Sequence, residues 1–454
     1  MEKVKQDEFR RVLGPWSASA LVAGSIIGAG IFIFVSGVAE RVPSYAGILI
    51  AWTVGGAIAS CGALCLAELA AAYPQTGGIY VFLRRAYGPF AGFLYSWAKF
   101  LIMRPGSLGI MVVAFAGFFV DFIGLGSGAH AWVEKGIAIG AVAVLTAINI
   151  VGVRAGATVQ TVLTAVKILC LVAIIGVGVA FGTGLLESHP VTVEPAHKPE
   201  GSLIVLFGAA LIAIMWAFGG WDESPFVAEE VRNPERNLPL SILGGLWTAA
   251  LLYVLVNAAY LAILSPAEMA GSGIETAPLA LERALGGGAR RSLSLALMIS
   301  TLGAANGYVL TGGRIAYATG RDQKLFQWFA HTHRRTKTPV LGLVIQAVLT
   351  IAAILIFKHL FQLLLYTGLA YWIFSGLSAG AVVVLRNRDP GRARPFRVWA
   401  YPILPILFIA ASVVMTVSVI VEDVNKGTYN ALVTIGILVV GAGVYAVQLV
   451  VFRK

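Results

Sequence analysis

Twelve stretches of the chain stay apolar long enough to cross a bilayer, parted by short polar segments. They lie at about 15–40, 46–72, 88–120, 131–151, 158–182, 203–228, 237–264, 288–318, 338–357, 360–386, 400–421 and 429–451. About 20 apolar helical residues match the hydrocarbon thickness, so the pattern predicts an all-α membrane protein with twelve transmembrane helices. Two stretches are interrupted. In the first, Gly24, Gly28 and Gly30 fall within seven residues. Glycine weakens a helix by roughly 1 kcal/mol relative to alanine. Either a neighbouring helix packs closely on these glycines, or the helix breaks and its freed backbone groups face a cavity. The sixth stretch carries Gly219-Gly220-Trp221-Asp222-Glu223-Ser224-Pro225 in the middle of an apolar run. Phe226, Val227 and Ala228 resume the apolar pattern. Asp222 therefore reads as an intramembrane acid, a costly group that marks a functional site. The competing reading ends the span at Phe218 and leaves Asp222 in water.

The interrupted stretches are five spans apart. Interruptions at matching places in two five-helix halves point to an inverted repeat, with the two breaks meeting near the bilayer midplane. The expected organisation is an N-terminal segment 1–14, a first half 15–182, a second half 203–386, and two further helices with the C-terminus in 400–454. A broken helix exposes amides at the start of its second half and carbonyls at the end of its first. The amide end suits a carboxylate, and the carbonyl end suits an ammonium.

Composition agrees with a membrane class: 58% of the residues are hydrophobic and 12% charged. A soluble chain carries about twice that charged fraction. The first apolar segment is too long and too rich in glycine for a cleaved signal peptide. The net charge of +11 does not indicate nucleic acid, because the basic residues gather in alternate loops rather than on one face. Assigning loops alternately places 22 of the 33 Lys and Arg on the side of the N-terminus and 8 on the other. That bias puts both termini in the cytoplasm. The start, Met1–Leu13, reads as amphipathic. The 6 His are scattered, so neither a metal nor a cofactor is expected. Cys61, Cys65 and Cys170 all lie in apolar spans and read as buried small hydrophobes, with no disulfide framework.

Other polar groups fall inside spans. Lys167 sits near the middle of span five. It reads either as a snorkelling lysine or as a fixed ammonium bonding carbonyls of the broken first helix. Arg104 precedes Pro105, which breaks a helical hydrogen bond, so the arginine pairs with a carboxylate or freed carbonyls, or else touches a substrate. Lys99 is expected to reach for an interface. Glu68, near the end of span two, is expected to order the loop Pro74-Gln75-Thr76-Gly77-Gly78. Trp216, Phe218 and Trp221 flank the second break as core aromatics or as a lid, with Trp216 the candidate gate.

Taken in order, these elements resemble the amino acid–polyamine–organocation superfamily, and within it the L-amino acid transporter group of exchangers in a bacterial form. Gly24–Phe32 is similar to the family's first-helix element, Ala67-Glu68-Leu69 with Pro74–Gly78 to its second-helix end, and Arg104-Pro105-Gly106-Ser107 to an element of this subgroup. Trp216–Trp221 with Glu229-Glu230-Val231-Arg232-Asn233-Pro234 is the most specific stretch, and Gly303–Gly307 resembles the eighth helix. The resemblance implies the five-plus-five inverted-repeat fold of the LeuT kind with discontinuous helices 1 and 6. It implies that the amides of Gly28, Ala29 and Gly30, with Ser25 nearby, hold a substrate carboxylate. The carbonyls of Ile26, Trp216 and Gly219 would hold its ammonium, with Phe218 and Asp222 beside it. Trp216 would be the gate, and Lys167 would stand where other transporters of this architecture bind sodium. Asp222 stands where many neutral-amino-acid members carry asparagine, and Tyr308 where a small hydroxyl residue is common. Asp121–Ala131 has no cysteine for a disulfide-linked heavy subunit.

The expected function is amino acid transport by alternating access in the cell membrane, as sodium-independent exchange of neutral and, on the Asp222 reading, also cationic L-amino acids. The alternative is proton-coupled symport, with Asp222, Glu223 or Lys167 titrating. The partners expected are small amino acids and the lipid bilayer, with the chain a monomer or weak homodimer. An enzyme is disfavoured because no nucleophile–base pair or His/Cys/carboxylate cluster is visible. A non-transporting sensor is disfavoured by the lack of a long cytoplasmic output segment.

Overall fold

A computed structural model describes residues 11–124, 131–191, 202–356, 360–425, 427 and 429–451. Most of the amphipathic start, most of the loop 121–131 and the final three residues lie outside that set. Among the described residues there is no strand beyond one isolated bridge between Leu13 and Val231.

The helices follow the apolar stretches. We label them α1 (Pro15–Ile26, resuming as Gly30–Ile33 and Val35–Arg41), α2 (Tyr45–Ala72), α3 (Pro89–Ala98, continuing through Lys99–Met103 into Arg104–Phe122), α4 (Ala131–Val151) and α5 (Val153–Gly182). Then come α6 (Leu203–Ala217, resuming as Ser224–Glu230), α7 (Pro234–Ile263), α8 (Ala289–Asp322), α9 (Val340–Ile356), α10 (Leu360–Arg388), α11 (Ile403–Asn425) and α12 (Asn430–Val451). Among the described residues ten helices are long and apolar enough to cross a membrane, and the shorter apolar helices Leu206–Ala217 and Val340–Ile356 stand in the sixth and ninth places. The sixth is short because the chain leaves the helix at Ala217. It resumes as a tight helical segment at Ser224, so the interruption expected at Gly219–Pro225 is present.

The glycines of α1 do both things the sequence allowed. Gly24 lies within the helix, where an added Cβ would stand 2.1 Å from Thr164 Oγ1 of α5. Gly30 meets the end of α6 in the same way, with Ala217 Cα 2.7 Å from such a Cβ. Gly28 lies in the break itself. Across from it, Gly220 adopts φ +113° with Ser25 backbone 2.9 Å from an added Cβ. The two breaks therefore touch, and only glycine allows both the turn and the approach.

Broken backbone inside a bilayer needs partners for its freed carbonyls, and three neighbouring helices supply them. Lys167 Nζ of α5 donates to Gly24 O (2.6 Å) and Ile27 O (2.6 Å). Ser300 Oγ of α8 reaches Ile27 O (3.4 Å) and Gly28 O (3.3 Å). The Tyr253 hydroxyl of α7 lies between Ile26 O (2.8 Å) and Ala217 O (3.2 Å), joining both breaks.

Pro105 has a comparable effect on α3. Without an N–H it leaves Leu101 O unbonded along the helix. The turn 99–103 widens to a π-helix, with Arg104 N bonding Lys99 O, and Tyr366 OH of α10 donates to Leu101 O (3.1 Å).

Two connecting elements escape the hydrophobic pattern. Ile79–Tyr87 is a short amphipathic helix between Gly78 and Gly88. Its Arg84 pairs with Asp322 (2.9 Å), at the same end of the bundle as Leu13. At the opposite end, Pro266–Gly271 starts with a capping box formed by Ser265 and Glu268. Arg283, on the helix Thr276–Leu285, bonds Glu268 (2.6 Å) and holds its carboxyl down to about 2. Two expectations need correction. Glu68 does not order the Pro74–Gly78 loop: it pairs with Arg386 (2.6 Å) and accepts from Val398 N (2.7 Å), because α2 runs unbroken and turns this face to the end of α10. Glu229 orders that loop instead, exchanging bonds with Thr76 N and Oγ1, both at 3.3 Å. Of the three cysteines only Cys65 is fully buried; Cys61 and Cys170 are half-buried, and all three are free thiols.

Tyr253→Phe removes the donor shared by the two breaks: Ile26 O keeps its bond from Gly28 N, while Ala217 O loses its side-chain partner. Such a loss costs about 1–3 kcal/mol, so the purified variant melts at a lower temperature than the parent in a fluorescence thermal scan.

Candidate functional site

A cavity opens where the second break meets α3, α8 and α10. Trp216, Gly219 and Gly220 form one wall, with Asp222 and Glu223 beyond them. Lys99, Met103 and Ser107 of α3 face them, and Tyr308 with Thr367, Gly368, Tyr371 and Trp372 of α10 completes the lining. Its volume is about 40 Å³, room for on the order of three waters. At that volume the cavity must widen to admit a side chain of any size.

Of the residues singled out from the sequence, Trp216, Gly219 and Asp222 line this cavity. Ser25, Ile26, Gly28, Ala29 and Gly30 do not line it: Ser25 lies against Gly220, Gly30 against Ala217, and Gly28 faces Met111 and Ala304. Ser25 Oγ is buried and has no hydrogen-bond partner among the described residues. It faces Gly307 of α8, where an added Cβ would stand 2.4 Å away. The resumption of α1 at Gly30 leaves the amides of Ala29, Gly30 and Ile31 without helical acceptors, while Phe32 N bonds Ala29 O (3.0 Å) and Gly28 N bonds Ile26 O. The carbonyl side is more engaged. Ile26 O already accepts from Gly28 N (2.7 Å) and from Tyr253, and Trp216 O accepts from Gly219 N (2.8 Å). Phe218 does not face the cavity: it packs against Trp52 and Tyr253, with ring centroids 6.2 and 5.2 Å away. Trp216 meets Phe34 of α1 edge-on at 5.0 Å, an aromatic contact across the two broken helices. Lys167 is 1% exposed and reaches no interface. Gly303 leaves the space its stem occupies, since a Cβ there would stand 2.9 Å from Lys167 Cε.

The acidic end of the cavity differs most from expectation. Asp222 is buried and paired with Lys99 Nζ at 2.8 Å. Lys99 is thus not a residue reaching for an interface. The widened turn of α3 directs it inward, where it also lies over the Phe226 ring at 5.2 Å. Next to it, Arg104 Nη1 donates to both oxygens of Glu223 at 3.0 Å, and Thr311 Oγ1 donates to Glu223 as well. The Arg104 guanidinium lies between the rings of Phe226 (5.6 Å) and Tyr308 (5.3 Å). Two acids and two bases form one buried cluster whose formal charges cancel. A signal for it exists in the sequence: four charged residues inside spans three and six have no cheaper partners than one another.

Between the cavity and the Leu13 end lies a group of ion pairs. Arg314 bonds Glu230 (2.9 Å), Arg321 bonds Glu229 (3.2 Å), and Asp322 takes both Arg84 and Tyr80 OH (2.9 Å each). The segment after α6 is further tied to the chain start, with Val12 N and Leu13 N both bonding Glu230 O (3.0 and 2.9 Å).

Two facing interrupted helices with a small cavity beside the second break are the arrangement of a membrane transporter. Among solved structures the chain is similar to Mhp1, a nucleobase-cation-symport-1 family transporter, in a closed conformation. That likeness has a TM-score of 0.59 at 13% identity and covers 94% of this chain and 96% of the other, which shows the LeuT-type inverted-repeat fold. The amino acid permease family model matches residues 13–442, and the chain belongs to that family. It is 31% identical to the b(0,+)-type amino acid transporter 1 of Mus musculus, over 93% of this chain and 85% of the relative. The serine/threonine exchanger SteT of Bacillus subtilis (strain 168) is also 31% identical, over 91% of this chain and 92% of its own. The large neutral amino acids transporter small subunit 2 of Rattus norvegicus is 30% identical, over 96% of this chain and 81% of its own.

Arg104→Met leaves the Glu223 charge buried without its main partner, a loss of about 3–5 kcal/mol. Thermal scans of the purified variant show a marked fall in stability, and the added change Glu223→Gln restores most of it.

Proposed function

We propose that the protein exchanges neutral L-amino acids across the cell membrane by alternating access, without sodium. The observation that carries this reading is the Lys167 ammonium, 2.6 Å from both Gly24 O and Ile27 O at the first break. A fixed positive charge there neutralises the freed carbonyls that a sodium ion would otherwise join. Transport then needs no ion gradient, and the inward and outward passages are linked through the substrate itself.

In this reading the amides of Gly28, Ala29 and Gly30 and the unpaired Ser25 hydroxyl receive the substrate carboxylate. The carbonyls of Trp216 and Gly219 receive its ammonium, with Ile26 O joining once its local bonds loosen. Trp216 against Phe34 gates one exit, and the ion pairs around Glu229 and Glu230 gate the other. The segments 15–182 and 203–386 act as the two halves that rock about the site, with 400–454 outside them. Both termini face the cytoplasm, and the protein works as a single chain, or a weak homodimer, without a disulfide-linked heavy subunit. The relatives support this reading: one of them is named a serine/threonine exchanger.

Proteoliposomes loaded with serine, alanine, leucine or nothing test it. Labelled serine enters only loaded vesicles, equally with and without sodium. Uptake into empty vesicles that rises with an inward proton gradient replaces exchange with proton symport. Lys167→Ala removes two charge-assisted hydrogen bonds, each worth about 1.5–3 kcal/mol, so exchange falls by at least about a hundredfold. Unchanged affinity and turnover in this variant remove the fixed-cation role.

A further inference from the structure

Asp222 invites the reading that the cavity accepts cationic side chains, since an acid in a substrate cavity attracts a base. The geometry around it points the other way. Its Oδ2 is 2.8 Å from Lys99 Nζ, and the two residues are only 2% and 4% exposed. Both line the same cavity as Trp216 and Gly219. The neighbouring acid, Glu223, is bonded by Arg104 through both oxygens and by Thr311. Lys99 Nζ is 3.9 Å from Glu223 as well, so it faces two carboxylates at once. No carboxylate lining the cavity lacks a basic partner.

We propose that Lys99 is a specificity-determining residue: an internal counter-ion that neutralises Asp222 and restricts the cavity to amino acids with uncharged side chains. This rests on the cavity being the amino acid site. The widened turn of α3 is what makes it work. π-type turns recur at functional sites. Here the turn begins at Lys99 itself, and the ammonium is held over the Phe226 ring and against Asp222. A cationic substrate entering from the Trp216 side meets a like charge already seated in the position it needs. To bind, it must displace an ammonium tethered to the protein, and in a buried site like-charge contact is strongly discriminating. A neutral side chain meets a cluster of zero net charge and forces nothing to separate.

The test compares two amino acids of equal size, norvaline and 2,4-diaminobutanoate, which differ by a methyl group in place of an ammonium. Binding is read first as thermal stabilisation of the purified wild-type protein, so the result does not depend on the mode of transport. Norvaline stabilises the protein and competes with labelled serine, at least about tenfold better than diaminobutanoate does. Lys99→Met leaves Asp222 unpaired and reverses the preference, so that diaminobutanoate binds and competes. Lys99→Met with Asp222→Asn refuses diaminobutanoate again. Equal binding of the two by wild type overturns the inference. So does refusal of both by a protein that still binds serine, since size and not charge then excludes them. A Lys99→Met protein that binds serine but still refuses diaminobutanoate overturns it too. If Lys99→Met does not accumulate, the wild-type comparison decides alone. A wild-type protein that no amino acid stabilises instead refutes the proposed function on which the inference rests.

Discussion

Breaking a helix inside a bilayer is costly unless every freed carbonyl finds a donor, and most of the molecule is arranged around that need. Four carbonyls of the first break, Gly24, Ile26, Ile27 and Gly28, accept from Lys167, Tyr253 and Ser300, on three different helices. Tyr253 also reaches Ala217 O at the second break. The donors hold the breaks together without filling them, so the amide end of the first break stays open beside the unpaired Ser25 hydroxyl. Glycine at 24, 30 and 220 lets the helices come close enough for these bonds to form.

The same logic governs the charges. Lys99, Arg104, Asp222 and Glu223 lie in the interior, where isolated ions are unstable. Pairing makes the cluster neutral, and the rings of Phe226 and Tyr308 give the two cations a further favourable surface. Pro105 contributes from a distance: its missing N–H accompanies the wide turn that sends Lys99 inward, and Tyr366 takes the carbonyl thus released. Selectivity in this account comes from a charge the protein has already satisfied, while the backbone of the breaks recognises the part common to all amino acids.

The spans were legible because each needs about 20 apolar residues, and the breaks because Gly24, Gly28, Gly30, Gly219 and Gly220 stand out within them. Lys99 and Glu68 were misread for one reason. Each was judged against its own helix, by distance to an interface or to the next loop, although its partner lies far away in the chain: Asp222 for Lys99, and Arg386 for Glu68. Phe218 sits in the expected break but turns to Trp52 and Tyr253, a rotation that sequence spacing does not encode. Ile79–Tyr87 escaped notice because nine amphipathic residues between glycines carry no membrane-length signal.

The account's central claim is that the two broken helices together hold the backbone of an amino acid. A structure of the protein with bound serine tests it most directly. The account predicts the carboxylate against the amides of Gly28, Ala29 and Gly30, and the ammonium against the carbonyls of Trp216 and Gly219. Serine found away from both breaks, or held by side chains alone, would contradict it.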